Sequence, residues 1–432
     1  MGDVPHDHHD ARRPSGPAGA PASDPAGAPT DPAGAPAGAN LAILRGHNAA
    51  LVLGLLREAG EAGVSRLELA ERTGLTPQAV SKITARLRAE GLAAEAGRRP
   101  STGGKPRTVL RLVRGARGAV GLHLDRDRLT AIRTDLTGTP LLVRTAPLDL
   151  GGTPEQVLDT VAAEVGALLA ADGAGAAEGA VPVADRPAPG GPVLGVGVAA
   201  PGPLDHRAGV LRRVTRFPHW DGYPLRAALA RRLGLPVVLD KDTNAAALGL
   251  ALRAPAAEPA GSFAYLHLGT GLGAGLVLDG EVYRGARTDA GEFGHQVVQL
   301  DGPECGCGNR GCLEALCLAA VADRDPARAG RLLGVGAANL VRLLDIDRVL
   351  LGGRTVLADP DPYLRGVAEA LAEDAARRGA RAVPAAVATG GERAVSAAVA
   401  AGGERTVAEG AAQLVLAPLF ARLVRREPPA VG

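Results

Sequence analysis

The residues that point most directly to chemistry are one histidine and three cysteines lying close together in the sequence. His295 is followed by Cys305, Cys307 and Cys312, with glycines in the gaps between the cysteines. Imidazole nitrogen and thiolate sulfur are preferred zinc ligands, and four protein ligands leave no open position, so the spacing predicts a structural Zn²⁺ site. Free, packed cysteines are the alternative. Cys317 is expected to be buried in the helix that follows.

Carboxylates flank this cluster and can bind hydroxyl groups. Glu292 lies three residues before the histidine, and Glu314 lies two residues after the last cysteine of the set. Asp242 and Asn244 follow a predicted strand further upstream. Because their side-chain oxygens accept hydrogen bonds, these four residues could bind a ring of hydroxyls. A zinc ion would fix the loop that presents Glu292 and the helix that presents Glu314.

Glycine-rich loops at the ends of apolar runs must position these groups. Apolar runs typical of strands cover 195–200, 237–239 and 265–268, and a strand, turn and strand are predicted over 119–130. The loop over 269–275 is short and has enough glycine for backbone amides to approach an anion. The order and spacing of these patterns carry more weight than any one of them.

Positive charge is concentrated upstream, in residues 41–116, which hold 13 Lys and Arg against 6 Asp and Glu. Three short helices are predicted between residues 47 and 92. The third follows Thr76, a typical N-cap, and has Pro77 at its first position. The Gly74-Leu75 step before it is the tight turn of a helix-turn-helix, which places the third helix in the major groove of DNA.

The exposed face of the third helix and a basic hairpin after it are the candidate DNA-binding surface. Two apolar strands enclose a loop rich in glycine and proline, a pattern that predicts a wing. The residues expected to meet base edges and phosphates are Gln78, Ser81, Lys82, Arg86, Arg98, Arg99, Lys105 and Arg107. A three-helix protein-interaction module with a solvated basic face is the alternative.

The composition of the whole chain hides this concentration of positive charge in residues 41–116. It has 432 residues, 46% of them hydrophobic, and its 48 basic and 46 acidic side chains leave a formal charge of +2. This length excludes a single small binding module. Residues 1–40 consist of near-repeats of Pro, Ala and Gly, a composition that predicts a disordered tail. No apolar run is long enough to span a membrane and no export signal is indicated, so a cytoplasmic location is expected.

Two parts of the chain resemble the ROK family of bacterial sugar kinases and sugar-responsive repressors. The run SRLELAERTGLTPQAVSKITARLRAEGL and the GGKP of the wing resemble the winged helix of ROK repressors, and the glycine loops and cysteines resemble the family over about 117–425. The resemblance implies an α/β, actin-like (ribonuclease H-like) fold of two lobes with sugar and ATP in the cleft. The expected domains are a tail over 1–40, a winged helix-turn-helix DNA-binding domain over 41–116 and a ROK-type sugar-binding domain over 117–432.

The resemblance also implies roles for individual residues. Asp242 matches the base that deprotonates the sugar hydroxyl in the family's kinases. Glu292, His295 and Glu314 match residues that contact the sugar, with the histidine also on zinc. The loop over 269–275 matches the one that handles ATP phosphates.

Two departures from the family pattern bear on function. The family's first phosphate loop carries Asp, an apolar residue and Gly-Gly-Thr, where this chain reads HLDRD over 123–127. Two carboxylates in place of that glycine pair and its neighbours would repel a triphosphate, which disfavours a kinase. Lys241 stands where the family has Asn, and its charge suggests an anionic ligand such as a sugar phosphate. An ion pair of Lys241 with Asp240 or Asp242 is the alternative.

The sequence therefore predicts a transcriptional repressor that binds operator DNA and responds to a sugar or sugar phosphate without phosphorylating it. A homodimer or a dimer of dimers is expected, because two half-sites need two recognition helices. The runner-up is an ATP-dependent sugar kinase of the glucokinase type with an accessory DNA-binding domain. A degenerate relative that binds neither ligand nor operator is the third possibility.

Overall fold

The first described segment folds as a winged helix. The computed structural model describes residues 46–99, 107–171, 181–182, 191–253, 261–388 and 405–421, and these belong to one compact unit. The helices of this segment are α1 (His47–Ala59), α2 (Arg66–Thr73) and α3 (Pro77–Ala89). Ser65 begins α2 with a capping box, and the side chain of Thr76 caps the first turn of α3. Gly74 between them has a φ of 69°, a left-handed conformation that favours glycine, and the predicted helix-turn-helix is confirmed.

A three-stranded antiparallel sheet completes the winged helix. Its strands are β1 (Val64–Ser65), β2 (Ala93–Arg99) and β3 (Arg107–Leu112), arranged in the order β1-β3-β2. The pairing of β2 with β3 confirms the predicted hairpin. Lys105, between these strands, lies outside the described residues, as do the side chains of Arg98 and Arg99.

A six-stranded mixed sheet forms the first lobe of the domain that follows. In chain order its strands are β4 (Gly118–Leu124), β5 (Arg128–Asp135), β6 (Pro140–Pro147), β7 (Val181–Pro182), β8 (Val193–Ala200) and β11 (Val237–Lys241). The spatial order is β11-β8-β4-β5-β6-β7, with β4, β8 and β11 parallel. A small hairpin of β9 (Leu204–Asp205) and β10 (Val210–Leu211) follows β8. Helices α4 (Pro154–Ala170) and α5 (Leu225–Leu233) cover one face of the sheet, and β11 leads directly into α6 (Asp242–Arg253).

The second lobe is a five-stranded sheet in the order β14-β13-β12-β15-β16. Its strands are β12 (Phe263–Leu268), β13 (Leu272–Leu278), β14 (Glu281–Val282), β15 (Arg348–Gly352) and β16 (Ala385–Val387). The helices on its outer face are α7 (Leu313–Ala322), α8 (Pro326–Leu344), α9 (Arg354–Ala358) and α10 (Pro360–Arg378). In the part of the chain that the structure describes, no helix combines the length and the apolar character needed to cross a membrane.

Helix α11 (Thr406–Leu416) lies with α6 between the two sheets. It packs against α6 and against β4 and β8 of the first lobe. Glycines allow this close approach, because a Cβ at Gly121 of β4 would lie 2.0 Å from the carbonyl oxygen of Ala408. At Gly197 of β8 it would lie 1.8 Å from the carbonyl oxygen of Ala411. The two lobes therefore share one inner layer of helices.

The chain beyond α11 reaches the winged helix. Leu416 and Phe420 are buried in the same apolar cluster as Leu56 of α1 and its neighbours. The guanidinium of Arg57 lies 4.3 Å from the centre of the Phe420 ring, within the range of a cation–π contact. The sequence predicts a domain boundary near residue 116, and the apolar core of the winged helix continues across it.

Candidate ligand cavity, metal cluster and DNA-binding surface

Four side chains that can bind a metal converge beside α7. One ring nitrogen of His295 and the Sγ atoms of Cys305, Cys307 and Cys312 all lie within 4.8 Å of one another. Nδ1 of His295 is 3.7 Å from Sγ of Cys305, and the sulfurs of Cys307 and Cys312 are 3.8 Å apart. A tetrahedron with Zn–S bonds of about 2.3 Å has edges of about 3.8 Å. The predicted ligands therefore meet at a spacing that suits a tetrahedral ion.

Short backbone elements hold this cluster in place. His295 ends a 3-10 turn (Phe293–His295), and Cys312 is the N-cap of α7. The amide of Cys305 donates to the carbonyl of Asn309 at 2.8 Å, which closes the loop between the cysteines. Cys317 lies apart from the cluster, fully buried in α7.

A cavity of about 990 Å³ opens beside the metal cluster. It is lined by parts of two segments, 203–213 around the β9–β10 hairpin and 286–295 before the cysteines. Glu292 and His295 are the two predicted ligand-binding residues that line it. Nδ1 of His206 and Oγ1 of Thr288 are 2.7 Å apart and join the two segments. Burial lowers the pKa of His206 below its usual value, which favours the neutral ring.

Lys241, at the end of β11, is buried and paired. Its Nζ donates to the carbonyl oxygen of Ala290 at 2.8 Å and to Oε1 of Glu292 at 2.9 Å. The Lys241 side chain is 3% exposed, whereas that of Glu292 is 36% exposed. The ion pair is thus with Glu292 and not with Asp240 or Asp242, and Lys241 does not line the cavity as a direct ligand for an anion would. It positions Glu292, whose exposed part faces the cavity.

The first turn of α6 separates two residues that the sequence analysis groups together. Asp242 is half-buried and accepts a hydrogen bond from the amide of Thr243 at 2.6 Å. Asn244 is fully buried, and its Nδ2 donates to Oδ1 of Asp240 at 2.9 Å. The other Asp240 oxygen accepts from Arg284 at 2.7 Å. Positions two apart on a helix face roughly 200° from each other. Asn244 therefore supports Asp240, and its expected contact with a ligand stays a prediction.

Glu314 lies in the first turn of α7 and supports the glycine-rich loop over 269–275. Its Oε2 accepts a hydrogen bond from the amide of Leu272 at 2.8 Å, and the residue is 8% exposed. It does not line the cavity that contains Glu292. Oε2 of Glu314 thus contacts the backbone at the start of β13, and its expected sugar contact stays a prediction.

The turn between β4 and β5 makes contacts to the other lobe. Oγ1 of Thr270 donates to Oδ1 of Asp125 at 2.9 Å, and Arg126 donates to the carbonyl of Thr270 at 3.0 Å. Arg354, at the start of α9, makes two hydrogen bonds of 2.9 Å to the carboxylate of Asp127. Burial raises the pKa of Asp125, but the histidine on β4 and hydrogen bonds to the carboxylate outweigh it, and the pKa is lowered. These contacts join the turn over 125–127 to the loop over 269–275 and to α9.

One face of α3 is polar, basic and exposed. The opposite side buries Val80 and Leu87 in the core of the winged helix, and this burial fixes the outward face. The predicted DNA-binding residues that are exposed are Gln78, Ser81, Lys82 and Arg86 on α3 and Arg107 on β3. The outward face therefore has both donors for base edges and cations for phosphates.

Six arginines at these sites were not singled out by the sequence analysis. Arg284 binds Asp240 and Arg354 binds Asp127, and four more line the cavity: Arg207, Arg212, Arg213 and Arg287. All but three of the 48 basic residues are arginine. Because arginine is so frequent in this chain, its presence alone does not mark a site, and only the fold brings these six to the sites.

The chain matches two family models. The model of the ROK family matches residues 183–321, and a model of winged helix-turn-helix DNA-binding domains matches residues 51–93. Among curated proteins, a putative xylose repressor of Caldicellulosiruptor sp. is 29% identical over 64% of this chain and 64% of that protein. The chain thus spans a little less than two thirds of the length of that relative.

Solved structures include similar proteins. The crystal structure of a ROK hexokinase from Thermus thermophilus has 30% sequence identity, covers 68% of this chain and 96% of its own, and gives a TM-score of 0.50. A ROK family transcriptional regulator described as a homologue of the E. coli MLC protein is 21% identical, covers 87% and 99%, and gives a TM-score of 0.60, which shows the shared fold. With 30% identity across nearly the whole hexokinase and a ROK model matched over 183–321, this chain belongs to the ROK family.

Proposed function

We propose that this chain is a sugar-responsive transcriptional repressor. The observation that carries the proposal is the core shared by the winged helix and the C-terminal helix. The body of α11 packs against α6, which begins at Asp242, and the end of α11 is buried among residues of α1. A DNA-binding module is thereby packed directly onto helices of the domain that binds sugar in related proteins. The similarity to a putative xylose repressor supports the same function.

In this proposal, the winged helix binds operator DNA. The N-terminal half of α3 enters the major groove, where Gln78 and Ser81 contact bases and Lys82 and Arg86 contact phosphates. The basic strands β2 and β3 lie along the neighbouring DNA backbone. The protein acts as a homodimer, because one winged helix covers only one half-site, and it acts in the cytoplasm, where its operator lies.

The sugar effector binds in the cavity beside the metal cluster. Glu292 accepts hydrogen bonds from hydroxyls, His295 contacts the same ligand, and Asp242 lies at the start of α6 on the neighbouring lobe. Binding stabilises one arrangement of the lobes. Helix α11 transmits the change to α1, because its body packs against α6 and its end packs against α1. The operator-bound population then falls.

The four-residue cluster holds a structural Zn²⁺ in this proposal. His295, Cys305, Cys307 and Cys312 are the ligands, and their spacing supports a tetrahedral ion. Because all four positions come from the protein, the ion supplies stability rather than a site for substrate. It fixes His295 beside the cavity and Cys312 at the start of α7.

We also propose that the chain does not phosphorylate the sugar. Thr270 and Arg354 are occupied by the carboxylates of Asp125 and Asp127. A nucleoside triphosphate bound there would have to break these contacts, and its phosphates would lie beside two carboxylates of like charge. The second candidate, a sugar kinase with an accessory DNA-binding domain, is favoured by Asp242 at the start of α6 and by the similarity to a ROK hexokinase.

The test separates these candidates with the full-length chain. DNA selected by the chain from a random library is used to measure operator affinity with and without a panel of pentoses, hexoses and their phosphates. We expect a member of the panel to weaken operator binding at least tenfold, and Lys82→Ala to weaken binding in the absence of sugar. Arg331→Ala, an exposed arginine on α8, is the control and should change neither value.

Two outcomes would contradict the proposal. Operator affinity that no sugar changes, together with turnover of ATP in the presence of a sugar, would favour the kinase. Selection that enriches no DNA sequence, with no thermal shift by any sugar, would indicate a chain that binds neither ligand.

A further inference from the structure

The wall of the cavity formed around the β9–β10 hairpin is rich in guanidinium groups. Six charged residues of the lining other than Glu292 come from the two segments that form the cavity: Asp205, Arg207, Arg212, Arg213, Arg287 and Asp289. The lining therefore has four arginines and, with Glu292, three carboxylates. The kind of ligand that the cavity can hold depends on which of these charges form ion pairs with neighbouring residues.

Each of the three carboxylates has a cationic partner. Asp205 accepts from Arg212 at 3.3 Å, and Asp289 accepts from Arg287 at 3.4 Å. Glu292 is paired with the buried Lys241, as described above. The acidic groups of the lining are thus neutralised by neighbours that belong to the protein.

Arg207 and Arg213 are left without such a partner. Among the described residues, no carboxylate forms an ion pair with either guanidinium, and both side chains are exposed in the cavity lining. A guanidinium offers five N–H donors in a planar arrangement that matches phosphate and carboxylate. Two uncompensated guanidiniums beside a cavity favour an anion there.

The backbone that carries Arg207 is fixed by a third arginine. Arg226 of α5 donates to the carbonyl oxygens of His206 at 3.4 Å, Arg207 at 2.9 Å and Ala208 at 3.0 Å. Oδ1 of Asp205 accepts from the amides of Arg207 and Ala208 at 3.0 and 2.9 Å. The turn is therefore held from both sides, which reduces the backbone entropy that this turn would lose on binding a ligand.

We propose that the effector of this chain carries an anionic group, a phosphate or a carboxylate, that Arg207 and Arg213 bind at the cavity. Its hydroxyl-bearing part contacts Glu292 and His295 further in. The inference rests on the proposed function, because it names the chemical class of the effector at that same cavity. The sequence analysis expects Lys241 to bind the anion, whereas here two arginines about 30 residues upstream bind it.

The test uses isothermal titration calorimetry on the full-length chain with neutral and anionic forms of one sugar. The probes are glucose, glucose 6-phosphate and gluconate, and xylose with xylose 5-phosphate and xylonate. We expect one anionic form to bind at least tenfold more tightly than its neutral parent, about the effect of a charged hydrogen bond. Preference for the ester or for the acid identifies the anionic group.

Variants locate the effect. Arg207→Ala and Arg213→Ala should each remove most of the preference for the anion while the affinity for the neutral sugar stays within twofold. Arg331→Ala is the control and should leave the preference unchanged. The preference should also weaken as salt rises from 50 to 300 mM, because the contact is between charges.

The failure of this inference is distinguishable from the failure of the proposed function. If a neutral sugar binds and releases the operator while its anionic forms bind no more tightly, the anion site is wrong and the repressor stands. An anion preference that both arginine variants retain also overturns the site. If no form of either sugar binds and the operator affinity never changes, the inference fails together with the function on which it rests.

Discussion

Gly54 lies in the middle of α1, where this helix meets the C-terminal segment. The amide of Ala421 donates to the carbonyl of Ala50 at 3.1 Å, and a Cβ at Gly54 would lie 2.4 Å from the carbonyl oxygen of Ala421. In a solvated helix, replacing Gly by Ala adds about 1 kcal/mol of stability. Here the added methyl group meets backbone that cannot rotate away, and such overpacking costs about 1–3 kcal/mol. We expect Gly54→Ala to lower the free energy of unfolding by up to about 2 kcal/mol.

Gly166 provides a matched control. It lies in α4 and is exposed, and a Cβ there would meet no atom within 4 Å. Gly166→Ala should therefore raise the free energy of unfolding by about 0.5–1 kcal/mol. Both variants are compared by midpoints in denaturant and by hydrogen exchange in residues 405–421. Operator affinity with and without effector shows whether the displaced segment also weakens the response.

One result would refute the reasoning about Gly54. If Gly54→Ala raises the unfolding midpoint as Gly166→Ala does, then residues 417–421 do not pack against α1 as described. Faster exchange in 405–421 for Gly54→Ala alone, with normal exchange in Gly166→Ala, is the expected pattern.

Three further predictions concern the metal cluster and the turn between the lobes. Cys312→Ser, or dialysis against a chelator, should remove the bound metal seen by elemental analysis, lower the melting temperature and weaken sugar binding; a cluster that binds no metal before treatment would contradict this. Asp125→Asn should destabilise the protein at pH 7, because the pKa of Asp125 is lowered in the fold and its ionised form contributes stability above the usual aspartate pKa of 3.8. The loss of stability caused by Asp125→Asn should shrink as the pH falls below about 4, and a loss unchanged down to pH 3 would contradict this prediction. Asp127→Ala and Arg354→Ala should show a coupling of about 0.5–1 kcal/mol in a double-mutant cycle of unfolding free energies, since the pair is partly exposed; additive effects would show that the contact is not stabilising.

The winged helix could be predicted closely because its signals are local. Thr76 and Pro77 mark the start of α3, and Gly74 marks the turn before it, through chemistry that involves only neighbouring residues. The metal cluster was predictable for a related reason. Three of its four members lie within eight residues of one another, so the chain has few ways to separate them.

The ligand residues were less predictable because their positions depend on side-chain direction and on distant pairing. Asp242 and Asn244 are two apart, and the rotation of the helix sends Asn244 towards Asp240 instead of the cleft. Lys241 meets Glu292 across 51 positions, a pairing that requires knowledge of how β11 lies beside the loop. Arg207 and Arg213 reach one cavity because the β9–β10 hairpin folds the chain back on itself.

The continuity of the core between α1 and residues 415–420 has a consequence for how such proteins can be recombined. A cut near residue 116 would expose Leu56 and its neighbours on one side and Leu416 and Phe420 on the other. Exchanging only the N-terminal part between two related regulators should therefore give poorly soluble chimeras. A transplant that moves 46–116 together with 415–421 keeps both halves of the joint and leaves most of α11 with the lobes against which it packs. The DNA-binding unit to exchange is therefore discontinuous in sequence.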